Sequence, residues 1–129
     1  MSVHGGGSPL GRARGLGAAK EGVAHWWAQR VTALALVPLT LWLVFGIVTR
    51  VGAGHDAVVE WIAAPLVAIA LVLTLFATFL HAKLGMQVVI EDYVHGPFAK
   101  HLLLLLVTFV SFSLGAGAIF AVLKIALRG

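Results

Sequence analysis

The segment at residues 62–80, IAAPLVAIALVLTLFATFL, contains no charged residue and decides the fold. Two further uncharged segments, at residues 31–49 and 102–123, precede and follow it along the chain. An α-helix needs about 20 apolar residues to cross a hydrocarbon core of about 30 Å, and each segment is close to that length. The sequence therefore predicts an all-α integral membrane protein with three transmembrane helices, at about residues 28–50, 58–94 and 99–126.

The composition agrees with a membrane protein. Hydrophobic residues make up 60% of the 129 residues, charged residues only 11%, and the mean hydropathy is +1.02, whereas soluble domains carry about 25% charged residues. There are no cysteines, so disulfides and iron–sulfur ligation by this chain are excluded. The sequence also has no hydrolytic triad, phosphate-binding loop or metal-binding cluster of familiar spacing. Such a chain is too sparse in reactive groups to be an enzyme on its own.

The distribution of basic residues predicts the topology. Residues 1–24 are predicted to be a flexible, basic, cytoplasmic tail, and residues 25–129 the membrane domain. Lysines and arginines mark the cytoplasmic side of membrane proteins. Six of them lie at the N-terminal side of the first helix or around the second connection: Arg12, Arg14, Lys20, Arg30, Lys83 and Lys100. Only three lie on the opposite side: Arg50, Lys124 and Arg128.

The N-terminus is therefore expected in the cytoplasm. No clear transit peptide precedes the first helix. The protein is therefore expected in the inner membrane of a bacterium, which its helices cross several times. The net charge of +4 then reflects topology and contact with membrane lipids rather than nucleic-acid binding.

His81 is the first candidate for chemistry. It precedes Asp92 by eleven residues, which is about 16 Å along a helix, so His81 lies inside the membrane if Asp92 marks the surface. Ionisable residues at such depth usually line a functional cavity, and a neutral imidazole is an axial ligand for haem iron. Gly85, one turn further on, removes a side chain that would obstruct a flat macrocycle. The alternative is a histidine near the interface that is hydrogen-bonded to a neighbour.

Asp92 and Tyr93 form the second candidate site, and Arg30 the third. Eleven residues at about 100° each return nearly to the starting direction, so Asp92 shares a helix face with His81. A carboxylate and a phenol at the membrane surface suit the ring carbonyl of a quinone; the alternative is a solvated helix end. Arg30 either pairs with an anionic cofactor group, such as a haem propionate, or extends to lipid phosphate.

Two parts of the chain together resemble a known family. The pattern HAxxGM at residues 81–86, followed by DYV at 92–94, is similar to the haem-ligand and quinone-site segment of the succinate dehydrogenase hydrophobic membrane anchor subunits. The patterns QRxTA at 29–33 and PL at 38–39 resemble the first helix of that family. The resemblance extends over essentially the whole chain in length and three-helix plan.

The resemblance implies roles for individual residues. His81 would be one axial ligand of haem b, and therefore the metal ligand, with the other ligand from the larger anchor chain. Tyr93 would hydrogen-bond a ubiquinone carbonyl, and Asp92 would organise that pocket. Arg30 would face a haem propionate, and His25 would be a further cofactor contact. Gly85 belongs to the same cofactor-binding set.

The resemblance also implies partners and a reaction. The helices would form a bundle with the larger cytochrome b anchor subunit, and a flavoprotein and an iron–sulfur subunit would dock on the cytoplasmic side. The complex, succinate dehydrogenase or complex II of the respiratory chain and tricarboxylic acid cycle, would pass electrons from succinate to ubiquinone. This chain alone would not oxidise succinate. From the residues, two alternatives stay open: a transporter or channel accessory subunit with His81 and Asp92 as a proton relay, or a structural scaffold.

Overall fold

The computed structural model describes the backbone of residues 17–128 and the side chains of residues 22–128. Four helices follow one another: α1 (Gly17–Val48), α2 (His55–Ala63), α3 (Pro65–Tyr93) and α4 (Pro97–Ala126). Helices α1, α3 and α4 are long and apolar enough to cross a membrane, whereas α2 has only 9 residues. The prediction of an all-α membrane protein with three spanning helices is confirmed.

Helix α1 begins earlier than the sequence analysis predicts. It starts at Gly17, within the segment expected to be a flexible tail at residues 1–24, instead of near residue 28. Alanine, lysine and glutamate, which follow at residues 18–21, are good helix formers, so the helix extends beyond its apolar window. Residues 1–16 of the predicted tail lie outside the described part of the chain.

The helix predicted at residues 58–94 is divided at Ala64. Its backbone is extended there, with φ −62° and ψ 128°, because a following proline disfavours the helical conformation. Pro65 then takes the first position of α3. A backbone N–H at that position has no partner within the helix, so its absence in proline costs no hydrogen bond. The result is a short helix, α2, joined to the long helix α3 through one extended residue.

Helix α3 is the centre of the fold. It packs against both α1 and α4, whereas α1 and α4 do not pack against each other within residues 17–128. Most of the buried side chains lie on α3: Ala68, Leu71, Thr74, Ala77, Leu84 and Ile90. On α4, by contrast, Gly115 is the buried position, and its Cα lies so near Phe79 that an added Cβ would be 3.3 Å from the ring. Much of the apolar surface of α1 and α4 therefore remains open to lipid or to other proteins.

Trp61 of helix α2 packs against helix α1. The indole lies so close to Gly46 that a Cβ atom on that glycine would be 2.5 Å from the ring atom Cζ2. The guanidinium of Arg50 lies 4.3 Å from the centroid of the same ring, and its Nη1 donates a hydrogen bond of 2.9 Å to the Gly46 carbonyl. This contact joins the two helices at the end of the membrane domain opposite Asp92.

Replacing Gly46 by alanine is expected to destabilise the protein by about 1–3 kcal/mol, the usual range for overpacking, because the added methyl group displaces the rigid indole. The midpoint of thermal unfolding of the full chain, purified in mild detergent, measures the change. Gly117→Ala is the matched control, since a Cβ atom there meets nothing within 4 Å. Equal midpoints for the two variants would contradict the prediction.

Candidate functional site

A group of polar side chains lies between α1 and α3, in otherwise apolar surroundings. We call it the α1–α3 polar cluster: His25, Gln29, Thr32 and His81. The three residues of α1 follow one another at intervals of four and three, so they share one face of the helix. Thr32 lies opposite His81, with 3.0 Å between Oγ1 and Nδ1. Gln29 lies opposite Gly85 one turn away, which shows that the two helices run antiparallel.

One nitrogen of His81 is engaged within the chain and the other is available. The Nδ1 atom lies 3.0 Å from the Thr32 hydroxyl, and only 6% of the Thr32 surface is exposed. The Nε2 atom has no hydrogen-bond partner among the described residues, and it is not enclosed by protein. Thr32 is therefore the hydrogen-bonding neighbour that the alternative interpretation of His81 expects. This contact leaves the second nitrogen of His81 accessible as a ligand atom.

Two polar atoms of the cluster are buried without a partner. His25 Nε2 and Gln29 Oε1 are both inaccessible and make no hydrogen bond with any described residue. A buried polar group left unsatisfied costs about 1–3 kcal/mol, so such groups are normally paired with water or with a molecule from outside the chain. Within the described residues, these two atoms therefore have no partner that would offset the cost of their burial.

Gly85 leaves space on α3 one turn from His81. A Cβ atom added there would meet only Gln29 Nε2, at 3.8 Å, which is an ordinary van der Waals distance. Packing within this chain thus does not require glycine at this position. The space remains available to a molecule or a partner helix.

Asp92 and Tyr93 lie in the last turn of α3, outside the α1–α3 polar cluster. Both side chains are exposed, Tyr93 by 75%. The helix ends at Tyr93. The next residue, Val94, donates its N–H to the Ile90 carbonyl at 3.0 Å and has an extended backbone. The structure does not bring this pair into contact with His81, because eleven residues, about 16 Å of helix, separate them. An acid and a phenol are therefore presented together at the end of a helix that is long and apolar enough to cross a membrane.

Arg30 lies away from the cluster. It is exposed, and its guanidinium lies 5.3 Å from the centroid of the Trp26 ring on the preceding turn of α1. Arg30 precedes Thr32 by two residues, about 200° around the helix, so it points away from α3. The structure brings His25, Gly85 and His81 to one interface, and it leaves Arg30 outside that interface.

The described residues by themselves do not form a metal site. Within the described residues there is no group of three or more His, Asp or Glu side chains that could hold one. A metal ion at His81 would therefore need further ligands from outside the described residues.

Gln29 and Thr32 were not predicted as site residues, although both stand in the motif at residues 29–33. A signal was present: His25, Gln29 and Thr32 repeat at helical intervals beside and within an apolar segment. Polar residues on one face of a membrane helix usually meet another helix. The identity of the facing residue, however, depends on how the two helices align.

Comparison with known proteins gives one consistent result. Residues 6–115 match the model of the family described as succinate dehydrogenase/fumarate reductase transmembrane subunit. The chain is 37% identical to the succinate dehydrogenase hydrophobic membrane anchor subunit of Rickettsia bellii, over 64% of this chain and 66% of that protein. It is 34% identical to the protein of the same name from Rickettsia conorii, over 74% of this chain and 77% of that protein.

A third relative extends the match over nearly the whole chain. The succinate dehydrogenase hydrophobic membrane anchor subunit of Paracoccus denitrificans is 28% identical over 93% of this chain and 92% of that protein. No solved structure matches at a significant level.

Proposed function

Because the chain belongs to the family of succinate dehydrogenase and fumarate reductase transmembrane subunits, we propose that it is the membrane anchor subunit of a succinate dehydrogenase, where it helps to pass electrons from succinate to ubiquinone. One observation carries the proposal. Helix α3 holds an imidazole with an accessible Nε2 about 16 Å below an exposed carboxylate and phenol. This arrangement suits a buried redox cofactor beneath a quinone site that has access to water.

We propose that His81 would hold the iron of haem b through Nε2. Its other nitrogen is engaged by Thr32, and ligating histidines almost always have their second nitrogen bonded in this way. Gly85 leaves the neighbouring turn free of a side chain. Haem bound here would supply one-electron transfer between the hydrophilic subunits and the quinone.

The second axial ligand is assigned to the larger anchor subunit. His25, His95 and His101 lie near the same end of the membrane domain as Asp92, and His55 begins α2 at the opposite end. None of them is at the depth of His81 along α3. The partnerless Nε2 of His25 supports a contact to a polar group of the cofactor. Arg30 remains the candidate ion-pair partner of a haem propionate. It would make this contact on the exposed side of α1, which faces away from α3.

Tyr93 and Asp92 are proposed to bind and protonate the quinone. The Tyr93 hydroxyl donates a hydrogen bond to one carbonyl oxygen, which orients the ring and stabilises the charge that develops on that oxygen during reduction. Asp92 orders the pocket on the same turn and exchanges protons with water. In the overall reaction, succinate loses two electrons and two protons to become fumarate, and ubiquinone gains two of each to become ubiquinol.

The proposed orientation places the quinone site on the side of the hydrophilic subunits. The N-terminal end of α1, the C-terminal end of α3 and the N-terminal end of α4 share one side of the membrane domain, with six of the nine lysines and arginines associated with them. This side is assigned to the cytoplasm of a bacterium, where the iron–sulfur and flavoprotein subunits dock. The open faces of α1 and α4 are assigned to the larger anchor subunit and lipid.

Purification of the full-length chain from native membranes in mild detergent tests the proposal. We expect a flavoprotein, an iron–sulfur protein and a second hydrophobic subunit to co-purify. We also expect a b-type haem spectrum and succinate-dependent reduction of ubiquinone. Isolation of the chain without a flavoprotein and without haem would contradict the assignment and favour a transporter accessory or scaffold.

A further inference from the structure

We propose that Thr32 is a positioning residue that sets the tautomer and the ring orientation of His81, so that Nε2 presents its lone pair to iron. The inference rests on the proposed function, because it concerns how His81 is prepared as a haem ligand. The basis of the inference is the direction in which the Thr32 hydroxyl donates its single proton.

The Thr32 hydroxyl donates its proton to its own helix. Its Oγ1 lies 2.7 Å from the Ala28 carbonyl oxygen and 3.1 Å from the Gln29 carbonyl oxygen. Carbonyl oxygens only accept hydrogen bonds, and two oxygens approach to 2.7 Å only when a proton lies between them. The hydroxyl proton is therefore used on α1, mainly by the Ala28 carbonyl.

The contact with His81 then has only one possible direction. The Thr32 hydroxyl has no second proton, so at 3.0 Å from His81 Nδ1 it accepts a hydrogen bond from the ring N–H. In the neutral imidazole a proton on Nδ1 leaves Nε2 with a lone pair. The opposite tautomer would set the Nδ1 lone pair against the lone pairs of the hydroxyl. The protonated nitrogen thus faces α1, and the ligating nitrogen faces outward.

Burial and stiffness make Thr32 suitable for this role. Only 6% of its surface is exposed, so water does not compete for the contact. Its β-branched side chain has few rotamers in a helix, and the bond to the carbonyl four residues earlier selects one of them. The hydroxyl is therefore a fixed acceptor, and it holds the plane of the His81 ring as well as its tautomer.

The hydrogen bond also affects the redox property of the ligand. An N–H···O bond from Nδ1 increases the basicity of the imidazole at its other nitrogen. A more basic ligand stabilises ferric over ferrous iron, which lowers the reduction potential. A residue that only fills space between two helices has no such effect.

Thr74 offers a matched control on the neighbouring helix. It is 5% exposed, and its hydroxyl donates a bond of 2.7 Å to the Ala70 carbonyl. Its burial and local bonding therefore closely match those of Thr32. It has no hydrogen bond to His81 among the described contacts.

The experiment compares Thr32→Val, Thr32→Ala, Thr32→Ser and Thr74→Val in the assembled complex. Haem content per flavin and resistance to haem extraction report affinity, and redox titration reports the midpoint potential. Without the hydroxyl, we expect about 10- to 100-fold weaker haem binding, the range for partners of metal-ligating histidines, and a higher potential for the haem that remains. Thr32→Ser should restore both values, and Thr74→Val should leave both unchanged.

Several results would overturn the inference. Wild-type affinity and potential in Thr32→Val and Thr32→Ala would show that the hydroxyl does not act on His81. Loss of assembly in both variants, with normal assembly of Thr74→Val, would assign Thr32 a packing role instead. His81→Ala separates these results from failure of the proposed function. Retention of haem in that variant refutes ligation itself, whereas loss of haem there with no effect at Thr32 refutes only the positioning role.

Discussion

Replacing His81 by alanine is expected to remove nearly all b-type haem from the purified complex. Under the proposed function, this imidazole binds the haem iron, since its Nε2 is accessible and its Nδ1 is held by Thr32. An alanine methyl group has no lone pair to replace it. The reduced-minus-oxidised absorbance spectrum and the haem content per flavin measure the loss.

His101→Ala is the matched control for this variant. His101 is also on a spanning helix, α4, but it is exposed, and its Nδ1 lies 2.6 Å from the Pro97 carbonyl at the start of that helix. It should keep full haem content. A wild-type spectrum in His81→Ala would exclude ligation by this residue. Loss of activity with an unchanged spectrum would instead favour a proton-transfer role for His81.

Replacing Tyr93 by phenylalanine is expected to lower the rate of ubiquinone reduction by roughly 10²–10⁴-fold, the usual contribution of a positioned proton donor. The change removes only the hydroxyl group, and Tyr93 is 75% exposed, so folding and assembly should not suffer. Succinate oxidation with an artificial acceptor should continue, because that reaction takes place in the hydrophilic subunits. The ratio of the two activities, measured on the same preparation, tests the prediction.

Phe98→Leu serves as the control for Tyr93→Phe. Phe98 is another exposed aromatic residue at the same end of the membrane domain, in the first turn of α4, and it has no polar group. Its replacement should leave both activities unchanged. Equal loss of quinone reduction and of artificial-acceptor activity in Tyr93→Phe would indicate damaged assembly rather than a missing proton donor, and would contradict the role proposed for the phenol.

The two experiments address different depths of one helix. Reduction of a quinone consumes protons, so its site must reach water, and Asp92 and Tyr93 are exposed at the end of α3. A haem ligand must keep its lone pair for iron, and His81 lies about 16 Å deeper, against Thr32. Helix α3, which carries both positions, packs against α1 and α4. Because one continuous helix carries both positions, the distance between the two proposed sites is set by the helix itself.

The sequence alone determined the class of the protein and the residues worth testing. Uncharged runs of about 20 residues are a local property of the chain, and a bilayer accepts such runs almost only as helices. The three spanning helices could therefore be predicted without any knowledge of their packing. The shared face of His81 and Asp92 followed from helical geometry, and the family resemblance followed from motifs that are contiguous in the chain.

The tertiary structure decided how the helices meet. The division at Ala64 had a visible cause in Pro65, but membrane helices also tolerate proline, so the local signal was ambiguous. The contact of Thr32 with His81 and the outward direction of Arg30 depend on the register and rotation of α1 against α3. Apolar residues that face lipid and those that face another helix are chemically alike, and for this reason the alignment of the helices was not readable from the pattern of residues.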